Sequence, residues 1–220
     1  AAAGRLLRLD ASRIVQALNL GGTPNVTLRQ TRAGELSHWK GCAFANASRN
    51  GVFAARLAAD GLTGPSPIFE GEMGFFRQVS GEFGLPALGG EANADGFMIN
   101  KTSIKYWPAE YHSQSAIHAA RELRTQIPNV GLIESLVIES FDAAVDIIGK
   151  DPEKWRPKTR ETADHSLPYC TAVALIEGDV TLALFDQGHL DDPRILDLVS
   201  RTKVRPLSPC RSSCWPFRRY

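Results

Sequence analysis

The stretch "WKGCAFANASRNGVFAARLAAD", residues 39–60, is the longest uninterrupted helical pattern in the chain. Gly51, in its middle, weakens a helix by about 1 kcal/mol relative to alanine, and Gly61 follows as a stop. A continuous helix of that length runs roughly 33 Å. Seven alanines lie between Gly41 and Gly61. Small side chains on every face let neighbouring backbones approach closely, so this reads as the central helix of a bundle.

Upstream, residues 5–20 read as a helix closed by Gly21-Gly22, and residues 23–36 are polar and turn-rich. Downstream, "GLTGPSPIFEG" is a loop, residues 71–83 form one short helix, and "GLPALGGEANADG" reads as a linker. The character then changes. A strand is expected over 97–106 and a helix over 112–127, with Ala116, Ala120, Leu123 and Ile127 on one stripe. "GLIESLVIES" is an apolar, β-branched run and predicts another strand. Helices follow over 141–149 and 164–177, separated by a polar connection at 151–163. A last helix begins at Asp192, a cap, with Pro193 in its first turn. The fold class is mainly α plus α+β: the end of an all-helical domain over 1–85, a linker over 86–96, and an incomplete α+β lid domain over 97–204. Residues 205–220 carry four arginines and no acid and read as an atypical, disordered tail.

Composition narrows the function. The chain has 220 residues, is 43% hydrophobic and has a formal net charge of +1. That balance argues against a nucleic-acid binder, and no apolar run is long enough to span a membrane. Cys42 and Cys170 lie in apolar helical patterns and are expected to be buried, reduced thiols. The C-x3-C spacing of Cys210 and Cys214 is not a common zinc pattern. No Gly-rich nucleotide loop, H-E-x-x-H or G-x-S-x-G occurs. The sequence opens without Met and inside a helical pattern, so a piece of a longer protein is expected. Cytoplasmic is the expected location, with mitochondrial the alternative if a targeting segment has been lost.

Three clusters can carry chemistry. In "SHWKGCAFANA", Lys40 stands at the first turn of the alanine-rich helix, where free N–H groups and the dipole already favour an anion. The plain alternative is a lysine that snorkels to solvent. In "IKYWPAEYH", Tyr106, Trp107, Pro108 and Tyr111 would hold Lys105 against a packed wall. At an effective dielectric near 20, a carboxylate about 4 Å from a lysine is worth roughly 4 kcal/mol before desolvation. A substrate with two or three carboxylates would justify keeping Lys40 and Lys105 in one cleft. Glu110 and His112 lie close by as substrate contacts or proton carriers, or as mere helix-dipole partners. In "ETADHSLPYCTAVAL", His165 and Tyr169 stand four apart, the spacing of a proton relay on one helix face. The alternative there is a cap at Asp164 or Ser166 with Tyr169 anchoring the core.

Taken in order, "WKGCAFANASRNGVFAARLAADGLTGPSPIFEGEMGFF", "IKYWPAEYHSQSAIHAA" and "ADHSLPYCTAVALIEGDV" closely resemble the MmgE/PrpD family, and within it the 2-methylcitrate dehydratases. The resemblance covers residues 5–205. It implies a homodimer of a helical domain and an α+β lid domain. It also implies cofactor-free and metal-free dehydration of a tricarboxylate, 2-methylcitrate, to 2-methyl-cis-aconitate in propionate catabolism. Carried over, Lys40 and Lys105 match active-site lysines, Tyr169 matches a lid-domain tyrosine, and His165 belongs to the same motif. Glu110 stands where the family's decarboxylases have histidine, which favours the dehydratase branch. Sister activities, cis-aconitate decarboxylation or dicarboxylate epimerisation, are the alternative. Family members are longer, with further site residues upstream of Ala1, so this fragment is expected to be inactive by itself, and a catalytically dead truncated chain is a second alternative.

Overall fold

The structure is a computed structural model that describes residues 1–84 and 98–207. The expected linker at 86–96, Cys210, Cys214 and the tail beyond Leu207 lie outside the described residues. The chain divides into two compact units, one made of Ala1–Arg29 with Gly41–Thr102, the other of Gln30–Lys40 with the residues from Ser103 on.

The first unit is helical. The helix expected over 5–20 is two helices, α1 (Ala2–Leu6) and α2 (Ala11–Gly22). The chain turns between them through Arg8 at φ 56°. Asp10 restarts the helix by accepting the Arg13 amide at 2.8 Å. The third helix, α3, spans Trp39–Ala59, and Gly61 closes it in the left-handed region at φ 93°. Leu9 and Ala17 pack against Ala55 and Ala58. Phe69 bridges Phe75 and Phe76 in the segment that ends in a short π-helix, Phe76–Ser80.

The reading of α3 as a bundle's central helix needs correction. Its buried residues are Ala54, Ala55 and Ala58, all in its C-terminal half. Phe44 is 84% exposed, and Val52, Phe53 and Cys42 are exposed as well. Its buried alanines lie where Leu9 and Ala17 pack against it.

In the second unit, α4 (Gln114–Arg124) follows a 3₁₀ turn, Tyr111–Ser113. Its inner face is Ile117 and Ala120, continued by Ser113 of the turn, whereas Leu123, expected inside, is exposed. The run "GLIESLVIES" gives strand β1 (Leu136–Ser140), and α5 (Asp142–Ala144) continues into a π-helical turn, Val145–Gly149. The stretch expected as a plain polar connection holds a 3₁₀ turn, Pro152–Lys154, and α6 (Arg160–Ala163). Then come α7 (Leu167–Glu177), α8 (Gln187–Leu190), α9 (Pro193–Ser200) and strand β2 (Thr202–Pro206). β1 and β2 pair in parallel, with Leu136 opposite Thr202 and Glu139 opposite Arg205. Arg205 and Pro206, assigned to the tail from sequence, are therefore strand residues, and Arg205 pairs with Glu139 at 2.8 Å.

Helix α7 is the centre of this unit. From Leu167 to Ile176 it carries no charged residue, and Leu167–Leu175 are all buried, as expected for a helix apolar on all sides. It ends at Gly178, left-handed at φ 80°. Ile117 of α4 and Ile195, Leu198 and Val199 of α9 share its core. Ile117 is fully buried, so Ile117→Ala is expected to lower the unfolding free energy by about 2–5 kcal/mol. The loss would appear as a lower urea midpoint with an unchanged slope.

The strand expected over 97–106 does not form. Met98–Lys101 is a 3₁₀ turn, and the following residues up to Glu110 belong to no strand. Among the described residues, no helix is long and apolar enough to cross a membrane.

Candidate active site

The site is assembled from three segments of the second unit. The first is the strap Gln30–Lys40. Leu36 is 2% exposed and is clipped at both ends of its peptide. Its amide donates to the Thr162 hydroxyl at 2.9 Å, and its carbonyl accepts from the Thr159 hydroxyl at 2.8 Å. The two threonine hydroxyls are 2.7 Å apart, and Thr159 also caps α6. Further along, His38 lies 3.6 Å from Glu161. The clip brings Lys40, at the start of α3, into the field of Asp164. Desolvation pulls the Lys40 ammonium down to about 8; Asp164 and Glu110 oppose that, while Arg32 and Lys154 add to it.

That value has a testable consequence. Lys40 is charged below about pH 8 and neutral above it. Affinity for a polycarboxylate is expected to fall as the pH rises through that value, and Lys40→Met should abolish this limb of the profile, measured by calorimetric titration. For stability the sign is the reverse. Between about 8 and the ordinary value of 10.5 the unfolded chain holds more protons, so this group adds stability as pH rises.

The second segment is the turn Lys105–Ala109. One amide side chain holds it. Gln114 Oε1 accepts from the Tyr106 and Trp107 amides at 3.1 and 3.0 Å. Its Nε2 donates to the Trp107 and Ala109 carbonyls at 3.1 and 3.4 Å. Trp107 is the buried anchor. Its indole N–H donates to Asp179 at 2.9 Å, and the Arg121 guanidinium sits 5.5 Å over its ring. Lys105 itself is exposed, as are Tyr106 and Tyr111. The expected aromatic wall is thus one buried tryptophan, because only Trp107 turns inward.

The third segment is Asp164–His165, the link between α6 and α7. The His165 Nδ1 forms a short hydrogen bond with Asp164 Oδ1. A carboxylate oxygen can only accept, so in this bond Nδ1 is the donor. Ser166 is the cap of α7, accepting the Tyr169 amide at 3.1 Å.

A cavity of about 430 Å³ is lined by Lys105, Trp107, Pro108, Asp164, His165 and Leu182, among others. It joins the second and third segments. Lys40 is not among its lining residues; the group common to it and the cavity is Asp164.

The other residues singled out from sequence lie elsewhere. Tyr169 is fully buried, its hydroxyl donates to the Leu184 carbonyl at 3.0 Å, and burial pushes its pKa up. The expected His165–Tyr169 relay is not formed, because α7 starts at Leu167 and leaves His165 outside the helix. Glu110 accepts the His112 amide at 2.6 Å and donates its own amide to the Asp164 carbonyl at 2.7 Å. It caps a turn and supports the Asp164 loop rather than lining the cavity. His112 packs edge-on to Phe141 at 5.2 Å. Sequence reasoning gave no role to Gln114, and to Asp164 only that of a cap. The one available signal was the adjacency of an acid and a histidine at a helix start.

Comparison with known proteins shows the family. The description MmgE/PrpD N-terminal domain matches residues 1–87, and MmgE/PrpD C-terminal domain matches residues 107–210. The chain is 29% identical over 206 residues to 2-methylcitrate dehydratase of Escherichia coli K12, covering 89% of this chain and 41% of that protein. It is 28% identical over 204 residues to 2-methylcitrate dehydratase of Cupriavidus necator, covering 89% and 40%. It is 23% identical over 218 residues to human cis-aconitate decarboxylase, covering 93% and 42%. The chain thus spans about two fifths of the length of these relatives. Both domain descriptions fit, and in a helical unit followed by an α+β one, so the chain belongs to the MmgE/PrpD family.

Proposed function

We propose that this chain contributes the polycarboxylate-binding and proton-transfer groups of a 2-methylcitrate dehydratase-type lyase in propionate catabolism. The observation that carries the reading is the convergence of Lys105, Asp164 and His165 on one cavity. The relatives named as 2-methylcitrate dehydratases support the choice of substrate.

Dehydration removes a proton from a carbon next to a carboxylate and expels the neighbouring hydroxyl as water. His165 Nε2, with Nδ1 held by Asp164, takes the carbon-bound proton. Lys105 sits where negative charge grows on the carboxylate as that proton leaves, the place a fixed cation lowers the barrier most. The acid that protonates the departing hydroxyl is not among the described residues that line the cavity; Lys40, held near 8 and charged at neutral pH, is linked to the site through Asp164.

The test is to incubate the purified full chain with 2-methylcitrate and follow the absorbance of the unsaturated product. Failure to turn over any di- or tricarboxylate would sink the reading. The match to a cis-aconitate decarboxylase favours one second reading on the same scaffold. Carbon dioxide release from cis-aconitate, without dehydration of 2-methylcitrate, would select it. The homodimer and the cytoplasmic location belong to the proposal too, and light scattering and cell fractionation check them.

A further inference from the structure

Leu182 is an apolar group in a charged place. The cavity of about 430 Å³ takes Lys105 from the turn Lys105–Ala109, and Asp164 and His165 from the link before α7. Among the described lining residues, Leu182 alone comes from neither segment. It opens the 3₁₀ turn Leu182–Phe185 and is 58% exposed, so its own burial contributes little to the fold. A single exposed leucine is ordinary on a protein surface. This one forms part of the wall of the site.

The segment that carries it is fixed at both ends. Before it, Asp179 accepts the Trp107 indole N–H at 2.9 Å, and Val180 is buried. After it, the Leu184 carbonyl accepts from the Tyr169 hydroxyl at 3.0 Å. Phe185 is 1% exposed, and its ring centre lies 6.2 Å from that of Tyr169. Within the turn, the Leu184 amide donates to the Thr181 carbonyl at 3.2 Å. Leu182 is thus placed by its neighbours rather than by its own packing. Trp107 and Pro108 are apolar lining groups too, but they belong to the turn that carries Lys105. Water against Leu182 covers an apolar wall, and a ligand that brings an alkyl branch there displaces that water favourably. A ligand with only hydrogen at that place gains nothing from the contact.

We propose that Leu182 is a specificity contact of the site: its methyl groups take the alkyl branch of a substrate polycarboxylate and favour a branched acid over the same acid without the branch. The inference rests on the polycarboxylate reading above and deepens it. Its role is in binding and selectivity, with no bond made or broken at Leu182.

The experiment titrates the full chain and its Leu182→Ser and Leu182→Met variants by calorimetry with 2-methylcitrate and with citrate, acids that differ by one methyl group. Wild type is expected to bind 2-methylcitrate about three- to tenfold more tightly than citrate, the worth of one methyl on a partly open wall. Leu182→Ser should bring the two affinities within about twofold of each other, chiefly by weakening 2-methylcitrate. Leu182→Met keeps an apolar side chain of similar volume and should keep most of the preference. A merely structural role would lower both affinities together and leave their ratio unchanged. A wild type without the preference, or a preference that Leu182→Ser leaves intact, overturns the proposal and spares the polycarboxylate reading. A wild-type chain that binds neither acid overturns both. If Leu182→Ser does not fold, the decision passes to the wild-type chain with ¹³C-labelled leucine methyls, the Leu182 signals being identified from Leu182→Met. A nuclear Overhauser effect between those signals and the methyl group of bound 2-methylcitrate supports the contact, and its absence removes it.

Discussion

Replacing His165 by alanine is expected to lower kcat by about two to four orders of magnitude, the usual worth of a positioned acid–base group. KM should change little, because Lys105, the proposed carboxylate contact, is untouched. Asp164→Asn should reproduce most of the loss: an amide no longer fixes the proton on Nδ1, and the lone pair at Nε2 is no longer guaranteed. Fold is a poor alternative explanation. His165 lies outside α7, and Ser166, not His165, caps it. Steady-state kinetics beside a thermal melt separate the two. A His165→Ala enzyme with kcat within about threefold of wild type would show that the carbon-bound proton goes elsewhere.

Lys105→Ala carries the second large effect. It should lower kcat/KM by roughly two to three orders of magnitude, the scale of losing one preorganised charge at the reacting group. The lysine is exposed and the turn beneath it is held through backbone groups by Gln114, so stability should be unchanged. Lys105→Arg keeps the charge and should recover part of the activity. If kcat/KM changed less than about twofold, Lys105 would not be a substrate contact. A loss confined to KM would mean uniform binding, and a loss shared by kcat would mean contact strengthened in the transition state.

Local signals in the sequence carried well where the chemistry was local. Gly61 closes α3, Asp192 accepts the Arg194 amide at 2.8 Å to open α9, and the β-branched run at 136–140 is β1. The same holds for the apolar run at 167–175, buried on every face. The misses are contacts between distant residues. Leu36 is bonded to threonines more than a hundred positions away, and nothing in residues 23–36 betrays it. The end of β2, Arg205–Pro206, is basic and proline-terminated and reads as tail until β1 supplies the opposite edge. Tyr169 looked like half of a relay because spacing is visible in sequence and the carbonyl of Leu184 is not. Lys154, which is buried, passed unnoticed inside a stretch rich in charge, because composition cannot say which of several lysines is enclosed.

The turn that carries Lys105 has its tether at the far end of α7. Gly178 ends that helix left-handed, and its carbonyl receives Arg121 at 3.1 Å; Arg121 lies over Trp107, and Trp107 is two residues from the lysine. A small error in how α7 is finished is thus passed along to the aim of Lys105, the proposed substrate contact. Damage at Gly178 would present as a sluggish enzyme before it presented as an unstable one, and a screen that scores only melting temperature would let it through.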